Sequence, residues 1–332
     1  MKRRKGFTLI ELLVVIAIIA LLMGVLMPAL AKVRAIAYRL TCGTNLSGIG
    51  KSMLMYASDY NEDFPRGGYR TSQWSTQGHI ANYAADTEGE ALGPPPSSAT
   101  IGCCYFKLVK YEEVGPKQFV CKGDSGTKPF KLSEGYPTPP ANRKIEECWD
   151  FGQVESGGSP QPGKYISYAY QFPFSLNNPC VTGGGSTTVC YAISSSSRPG
   201  SPVCSDRPPV LDINAKGHYD AATSQLQDPQ WLSAGGVLSY VDEDRKGNCA
   251  AHQWEGQNIM FVDGHVTFEK YPNVGVRNDH IWKCWGQCTD DPDQDKQGAG
   301  VAPVTNCSQQ NGDTTALPKN IEDAVLVCEK NS

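Results

Sequence analysis

Lys5-Gly6-Phe7-Thr8-Leu9-Ile10-Glu11-Leu12-Leu13-Val14-Val15-Ile16-Ala17-Ile18-Ile19-Ala20-Leu21-Leu22-Met23 carries the chain from a short basic leader into an apolar run that continues through Leu30. A run of that length crosses a bilayer core of ~30 Å, which takes ~20 helical residues. Lys2, Arg3, Arg4 and Lys5 precede it, and basic residues on that side predict a cytoplasmic N-terminus with the rest of the chain outside. Glu11 places a carboxylate in the apolar run, at a cost on the order of 2–3 kcal/mol at depth, so the sequence predicts a compensating interaction. A secretory signal peptide has no use for that carboxylate. Its cleavage site would also follow the apolar run after small residues, whereas the Gly6-Phe7 junction precedes it.

The segment Lys5 to Glu11 resembles the type IV prepilin and pseudopilin signature. The resemblance implies that a prepilin peptidase/N-methyltransferase cuts after Gly6 and methylates Phe7. It also implies that Glu11 pairs with the N-terminal ammonium of a neighbouring subunit during assembly, an attraction that a low-dielectric environment strengthens. Pro28 lies where many pilins carry a helix-weakening proline. It removes one backbone hydrogen bond, and either opens the helix within a filament or marks where the helix leaves the bilayer.

Beyond Pro28 the pattern turns amphipathic. Val33, Ile36, Ala37 and Leu40 recur at helical spacing, and Cys42, Leu46, Ile49, Met53, Tyr56 and Tyr60 continue the stripe. One helix from about Thr8 to about Ser58 would be ~75 Å long. Gly43, Gly48 and Gly50 each cost such a helix up to ~1 kcal/mol, so its second half must rely on packing. The segments Cys42-x2-Asn45-Leu46-x2-Ile49-Gly50 and Tyr56-Ala57-x-Asp59-Tyr60 resemble a pilin-like subfamily whose C-terminal region carries an H-x9-DG pattern. Asp59, Asn61, Glu62 and Asp63 form a polar exit from the helix, read as a solvated turn rather than a calcium site.

The remainder is loop-rich, with 34 glycines and 23 prolines in the chain, which suits short strands with long connections. Residues 66–100 read as a surface insertion. Tyr105 to Val109 reads as a short helix or strand. Phe119-Val120-Cys121 followed by Lys122-Gly123-Asp124, Ile166 to Tyr170 and Pro209-Val210-Leu211-Asp212 resemble further subfamily segments, the last being a strand that ends on an aspartate. Asn258–Val262 and His265–Glu269 flank Asp263-Gly264, an arrangement that predicts a hairpin closed by a two-residue type I′ turn. His252 to Asp263-Gly264 resembles the H-x9-DG motif with ten intervening residues, so a bulge or looser loop is expected near Trp254 to Gly256.

Thirteen cysteines without the paired spacing of a zinc finger point to disulfides formed outside the cytoplasm. Their connectivity is open, and the odd count leaves one thiol free or paired between chains. Asp291, Asp293 and Asp295 alternate as in a calcium loop, but Lys296 stands where glycine is wanted. Calcium is therefore the weaker reading beside an acidic turn, and no other cofactor is implied. His252, Asp263 and His265 make a thin metal set. No Walker A, HExxH, dinucleotide fingerprint or G-x-S-x-G elbow occurs, the Ser194–Ser197 run included, so no enzymatic activity is expected. Thirty basic residues against 34 acidic give no basic face for nucleic acid.

These readings predict an α+β, pilin-like fold. A long N-terminal α-helix, transmembrane in its first half, packs on an antiparallel β-sheet with loop-rich, disulfide-braced insertions. Residues 1–6 form the leader, 7–30 the transmembrane or filament-core helix, 31–58 its amphipathic continuation, and 59–332 an extracytoplasmic β-rich domain. That domain holds the hairpin region 252–269 and a Cys-rich tail, 284–332. The expected function is a structural subunit of a type IV pilus or a type II secretion-type pseudopilus. It would sit in the cytoplasmic membrane with its globular domain in the periplasm, and at the cell surface after assembly. Its expected partners are the peptidase, other pilin-like subunits and an inner-membrane assembly platform. The alternative is a minor, membrane-anchored surface binding or adhesion protein, since the large loop-rich domain exceeds what a major subunit needs.

Overall fold

The structure is a computed structural model that describes residues 9–68, 73–74, 85–93, 98–135, 144–151, 162–171, 173, 176–177, 188–189, 193–207, 219–220, 225–226, 248–276, 281–282 and 326–327. Helix α1 (Leu9–Asp59) has 51 residues and runs through Pro28 without a break. Its length is ~76 Å at the standard rise. An 18-residue window in it reaches a mean hydropathy of 3.1, and none of that window is buried. Leu9 to Leu40 presents its large apolar side chains outward, including Val33, Ile36 and Leu40 of the amphipathic stripe. Burial begins at Cys42 and continues through Leu46, Ile49, Gly50, Met53, Tyr56 and Ala57. This three- and four-residue spacing lays one face of the helix on the domain.

Shorter helices follow, among them α2 (Glu88–Leu92), α3 (Ile101–Tyr111) and α4 (Leu132–Gly135). Thr100 caps α3, its hydroxyl oxygen accepting from Cys103 N at 2.9 Å, which satisfies an end amide that the helix leaves open. The strands are β1 (Gln73–Trp74), β2 (Ser98–Ala99), β3 (Tyr168–Gln171), β4 (Leu176–Asn177), β5 (Thr188–Val189), β6 (Pro202–Asp206), β7 (Tyr219–Asp220), β8 (Gln225–Leu226), β9 (Gln257–Phe261), β10 (Val266–Glu269) and β11 (Leu326–Val327). Five of them form the main sheet in the order β10-β9-β6-β3-β11, antiparallel at every pairing. The other six make two-residue ladders, β1 with β2, β4 with β5 and β7 with β8.

The buried half of α1 lies across this sheet. Gly50 permits the approach: a methyl group there would come 3.0 Å from Met260 Cγ on β9. Beside α1 sits an aromatic core. Tyr105 of α3 packs on Tyr170 and Phe119, with ring centroids 5.4 and 5.5 Å apart. Phe151 meets Phe106 and Phe130 edge-on, a geometry that aromatic quadrupoles favour. A disulfide joins Cys42 on α1 to Cys121, 79 residues further on. The layout is thus α+β, with a long apolar helix, an antiparallel sheet and a disulfide brace.

One local expectation changes. The hairpin forms between β9 and β10, but its turn has three residues. Gly264 N donates to Phe261 O at 2.8 Å and Phe261 N to His265 O at 3.1 Å, and within the turn only Gly264 has a positive φ, 83°. Asp263 therefore stays in ordinary backbone space and uses its carboxylate to accept from His265 N at 3.1 Å. A turn followed by a left-handed glycine bulge satisfies the strand twist as well as type I′ does. Pro209–Asp212 lies outside the described residues; β6 is a strand that ends on an aspartate, Asp206. In the C-terminal region β11 adds an edge strand to β3, and Leu326 N donates to Ile281 O at 2.8 Å. Cys284, Cys288, Cys307 and Cys328 lie outside the described residues.

Candidate functional site

Two features stand out: the exposed apolar half of α1, and a buried polar centre where α1 meets the sheet. Gly6 and Phe7 lie outside the described residues. Glu11 sits in the first turn of α1 and is exposed. A carboxylate there also complements the positive end of the helix dipole. Below it, Leu12, Ile16 and Leu22 each expose more than half of their surface (55, 57 and 56 %). Covering such side chains yields ~25 cal/mol per Å2, so this half of the helix is a surface that gains by being covered. Pro28 lies within it, in continuous helix.

Arg39 marks the change from exposed to packed helix. It pairs with Glu255, and its guanidinium lies 4.8 Å from the ring centre of Phe268 on β10. Beside it a groove of about 610 Å3 opens between α1 and the hairpin, lined by Ile36, Leu40, Thr44, Val266 and Phe268 among others.

The buried centre is built around His252, 2 % exposed. Its backbone ends a single turn, Ala250–His252. The chain then passes through left-handed residues Gln253 (φ 59°) and Trp254 (φ 61°) before β9 begins. His252 Nε2 lies 2.9 Å from Asp206 Oδ2, 3.4 Å from Asn258 Nδ2 and 3.9 Å from Cys121 Sγ. Asn258 grips the same carboxylate oxygen from two sides, its N donating at 2.6 Å and its Nδ2 at 2.9 Å. Asp206 Oδ1 and His252 Nδ1 are buried without a hydrogen-bond partner among the described residues. One ligand atom from each of Cys42, Cys121, Asp206 and His252 falls within 4.8 Å of all the others. Next to this centre, Arg207 Nε and Asp124 Oδ2 face each other at 3.4 Å, both buried.

The expected histidine–aspartate grouping is divided. Asp263 and His265 meet each other on the exposed turn, where His265 stacks on Phe261 with ring centres 4.4 Å apart. His252 sits at the opposite end of the hairpin, its ring 6.2 Å from that of Phe268. Gly264 serves the turn. Asp291, Asp293 and Asp295 lie outside the described residues. Asp206 and Asn258 were not singled out from the sequence. Their only local signal is a polar residue at a buried position of a strand, and β6 is buried at all five positions.

A second buried carboxyl, Asp150, accepts from the Thr100 hydroxyl at 2.6 Å and from Phe151 N at 2.7 Å. Burial pushes its pKa up to about 7 although these bonds pull it down. Burial likewise pushes Cys104 and Cys204 up to about 12. Burial and the neighbouring Asp150 carboxyl push Cys103 well up. Nucleophilic cysteine chemistry needs the thiolate, so these three thiols behave as packing groups.

Residues 1–27 match the family described as the prokaryotic N-terminal methylation motif. No curated protein and no solved structure matches the chain. The match supports a type IV pilin-like protein, made as a prepilin, handled by prepilin peptidase and assembled with other pilin subunits. Pilin-like proteins with this motif are structural subunits rather than enzymes. With the apolar helix, the match indicates anchoring in a membrane.

Proposed function

We propose that this chain is a structural subunit of a type IV pilus or a type II secretion-type pseudopilus. The observation that carries the reading is the apolar half of α1, exposed from Leu9 to Leu40 at the end of a rigid helix whose other half is built into the domain. Residues 1–6 are the leader, cut after Gly6, and Phe7 becomes the methylated N-terminus. Residues 7–30 cross the cytoplasmic membrane and later enter the filament core. Residues 31–58 continue the helix onto the domain, which occupies 59–332 in the periplasm. Glu11 sets register by pairing with the new ammonium of a neighbour, a contact that fixes position as much as it adds affinity. Pro28 eases local opening of the helix on assembly. An inner-membrane platform extracts the subunit from the bilayer.

Intact mass and N-terminal sequencing of the protein from its native membrane test the reading. A chain beginning at methylated Phe7 is expected, and one that still begins at Met1 overturns the assembly route. Glu11→Val should be cleaved normally yet enter filaments at least ~10-fold less well, given the ~1.4 kcal/mol per tenfold relation. Normal incorporation of that variant would remove Glu11 from register setting. Abundance in purified filaments separates a major subunit from a minor one.

A further inference from the structure

We propose that Cys42, Cys121, Asp206 and His252 form a redox-gated site for a zinc-class divalent cation. The centre has two mutually exclusive states, a disulfide or a metal-bound dithiolate. Two sulfurs, one imidazole and one carboxylate are a four-ligand set that suits tetrahedral zinc, and a closed set of four protein ligands marks a structural site. Thiolates select such an ion over calcium or magnesium.

The geometry requires little movement. A tetrahedral zinc with its usual bond lengths holds its ligand atoms about 3.3–3.8 Å apart. The four donor atoms already lie within 4.8 Å of one another, and His252 Nε2 is 3.9 Å from Cys121 Sγ. The two sulfurs must part by roughly 1.7 Å from bonded to ligand separation and the farther donors close by up to about 1 Å, movements that side-chain rotation supplies. Part of the shell around the donors is also present. Asn258 holds Asp206 Oδ2 through two donors, so Oδ1, buried and without a hydrogen-bond partner among the described residues, is the oxygen with its lone pairs uncommitted. Gly123 N donates to Cys121 Sγ at 3.4 Å, a contact that stabilises negative charge on sulfur. Outer contacts of this kind orient ligands and tune affinity. A buried acceptor left without a partner is costly, and a cation between Oδ1 and the sulfurs removes that cost.

The chemistry balances. A dithiol reductant opens the Cys42–Cys121 bond, giving two protein thiols and the reductant's own disulfide. The cation then displaces one proton from each thiol and binds the two thiolates with His252 and Asp206. A disulfide oxidant then accepts two electrons from the sulfurs and, with two protons from water, leaves as its own dithiol, while the Cys42–Cys121 bond re-forms and the cation is expelled. The metal-bound state therefore belongs to a chain not yet oxidised, and it can hold α1 on the sheet before the covalent brace exists.

The test uses the full chain in detergent micelles, reduced with a water-soluble phosphine that takes the oxygen of water as it opens each disulfide. The phosphine is then removed without air. Alkylation by iodoacetamide is followed at each cysteine by peptide mass mapping, with one equivalent of Zn2+ or with a chelator. Cys42 and Cys121 should react at least ~10-fold more slowly with zinc. That difference should vanish in His252→Ala and in Asp206→Asn but survive in His265→Ala. Cys204 is buried outside the site and gauges folding. If reduction alone exposes Cys204, zinc should protect it again. Equal labelling of Cys42 and Cys121 with and without zinc overturns the site. So does zinc protection that persists in both the His252 and Asp206 variants, or a Cys204 that zinc fails to protect again.

Discussion

The two halves of α1 are continuous in backbone and opposite in situation. From Leu9 to Leu40 the large apolar side chains face outward. From Cys42 to Ala57 one face is sealed against the sheet, with Leu46, Ile49 and Met53 wholly inaccessible. As far as Leu30 the first half is apolar on every side apart from Glu11, which suits a lipid or multi-helix environment. The second half is striped and contains glycines where the sheet comes close. Composition around the helix, rather than helix propensity along it, tells which half finds its partner inside its own chain and which must find it elsewhere. The boundary falls at Arg39, held by Glu255 and Phe268.

That contrast can be broken most forcefully at its covalent joint. Replacing both Cys42 and Cys121 by serine should cost the domain roughly 2–5 kcal/mol, read as a lower denaturant midpoint of the full chain in micelles. An unchanged midpoint would mean that packing alone fixes α1. Next in size, Leu46→Ala should destabilise by about 3 kcal/mol through cavity formation, whereas Leu22→Ala, the same change in the exposed half, should leave the domain transition within ~0.5 kcal/mol. Equal effects would erase the distinction between the halves.

A smaller effect concerns the core around α3. Asp150 has an ordinary value of 3.8 that burial raises to about 7. The folded state thus binds its proton more tightly than the unfolded state, and this contribution is fully present below about pH 4 and lost as pH rises through about 7. Asp150→Asn should flatten the fall in melting temperature across that window, and an unaltered slope would assign the pH response to other groups. The smallest change is Gly264→Ala, where a side chain must adopt a positive φ at a cost of about 1 kcal/mol. Its melting curve should shift slightly while α1 packing, read by near-UV circular dichroism, stays constant.

Legibility followed the range of the physics. The helix was readable because its signals are local: an apolar run of bilayer length, then Cys42, Leu46, Ile49, Met53 and Tyr56 at helical spacing. The hairpin was readable from two β-prone runs around Asp263-Gly264. Its turn type was not, since the choice between two left-handed residues and one depends on whether the Asp263 carboxylate reaches His265 N. β6 was not legible because Val203 to Asp206 is buried on both faces and shows no alternation, leaving long-range pairing with β3 and β9 to define it. β11 has two residues and no local signature. The buried centre was half legible. His252 and Cys121 were noted separately, but Asp206, Asn258 and the Cys42–Cys121 pairing arise only from folding distant segments together.

One property of the disulfide shows itself under tension. Cys42 is the first residue of α1 to be buried, and it is bonded to Cys121. A pull applied along the helix from its apolar end meets the contacts of Arg39 and then, three residues on, a covalent bond, before it reaches the rest of the packed face. The force passes directly into the segment beside β3 and bypasses the intervening 43–120 stretch, which is neither stretched nor peeled from the sheet. The tether's strength is then that of a sulfur–sulfur bond, and reduction would convert the same subunit from a rope into a zipper.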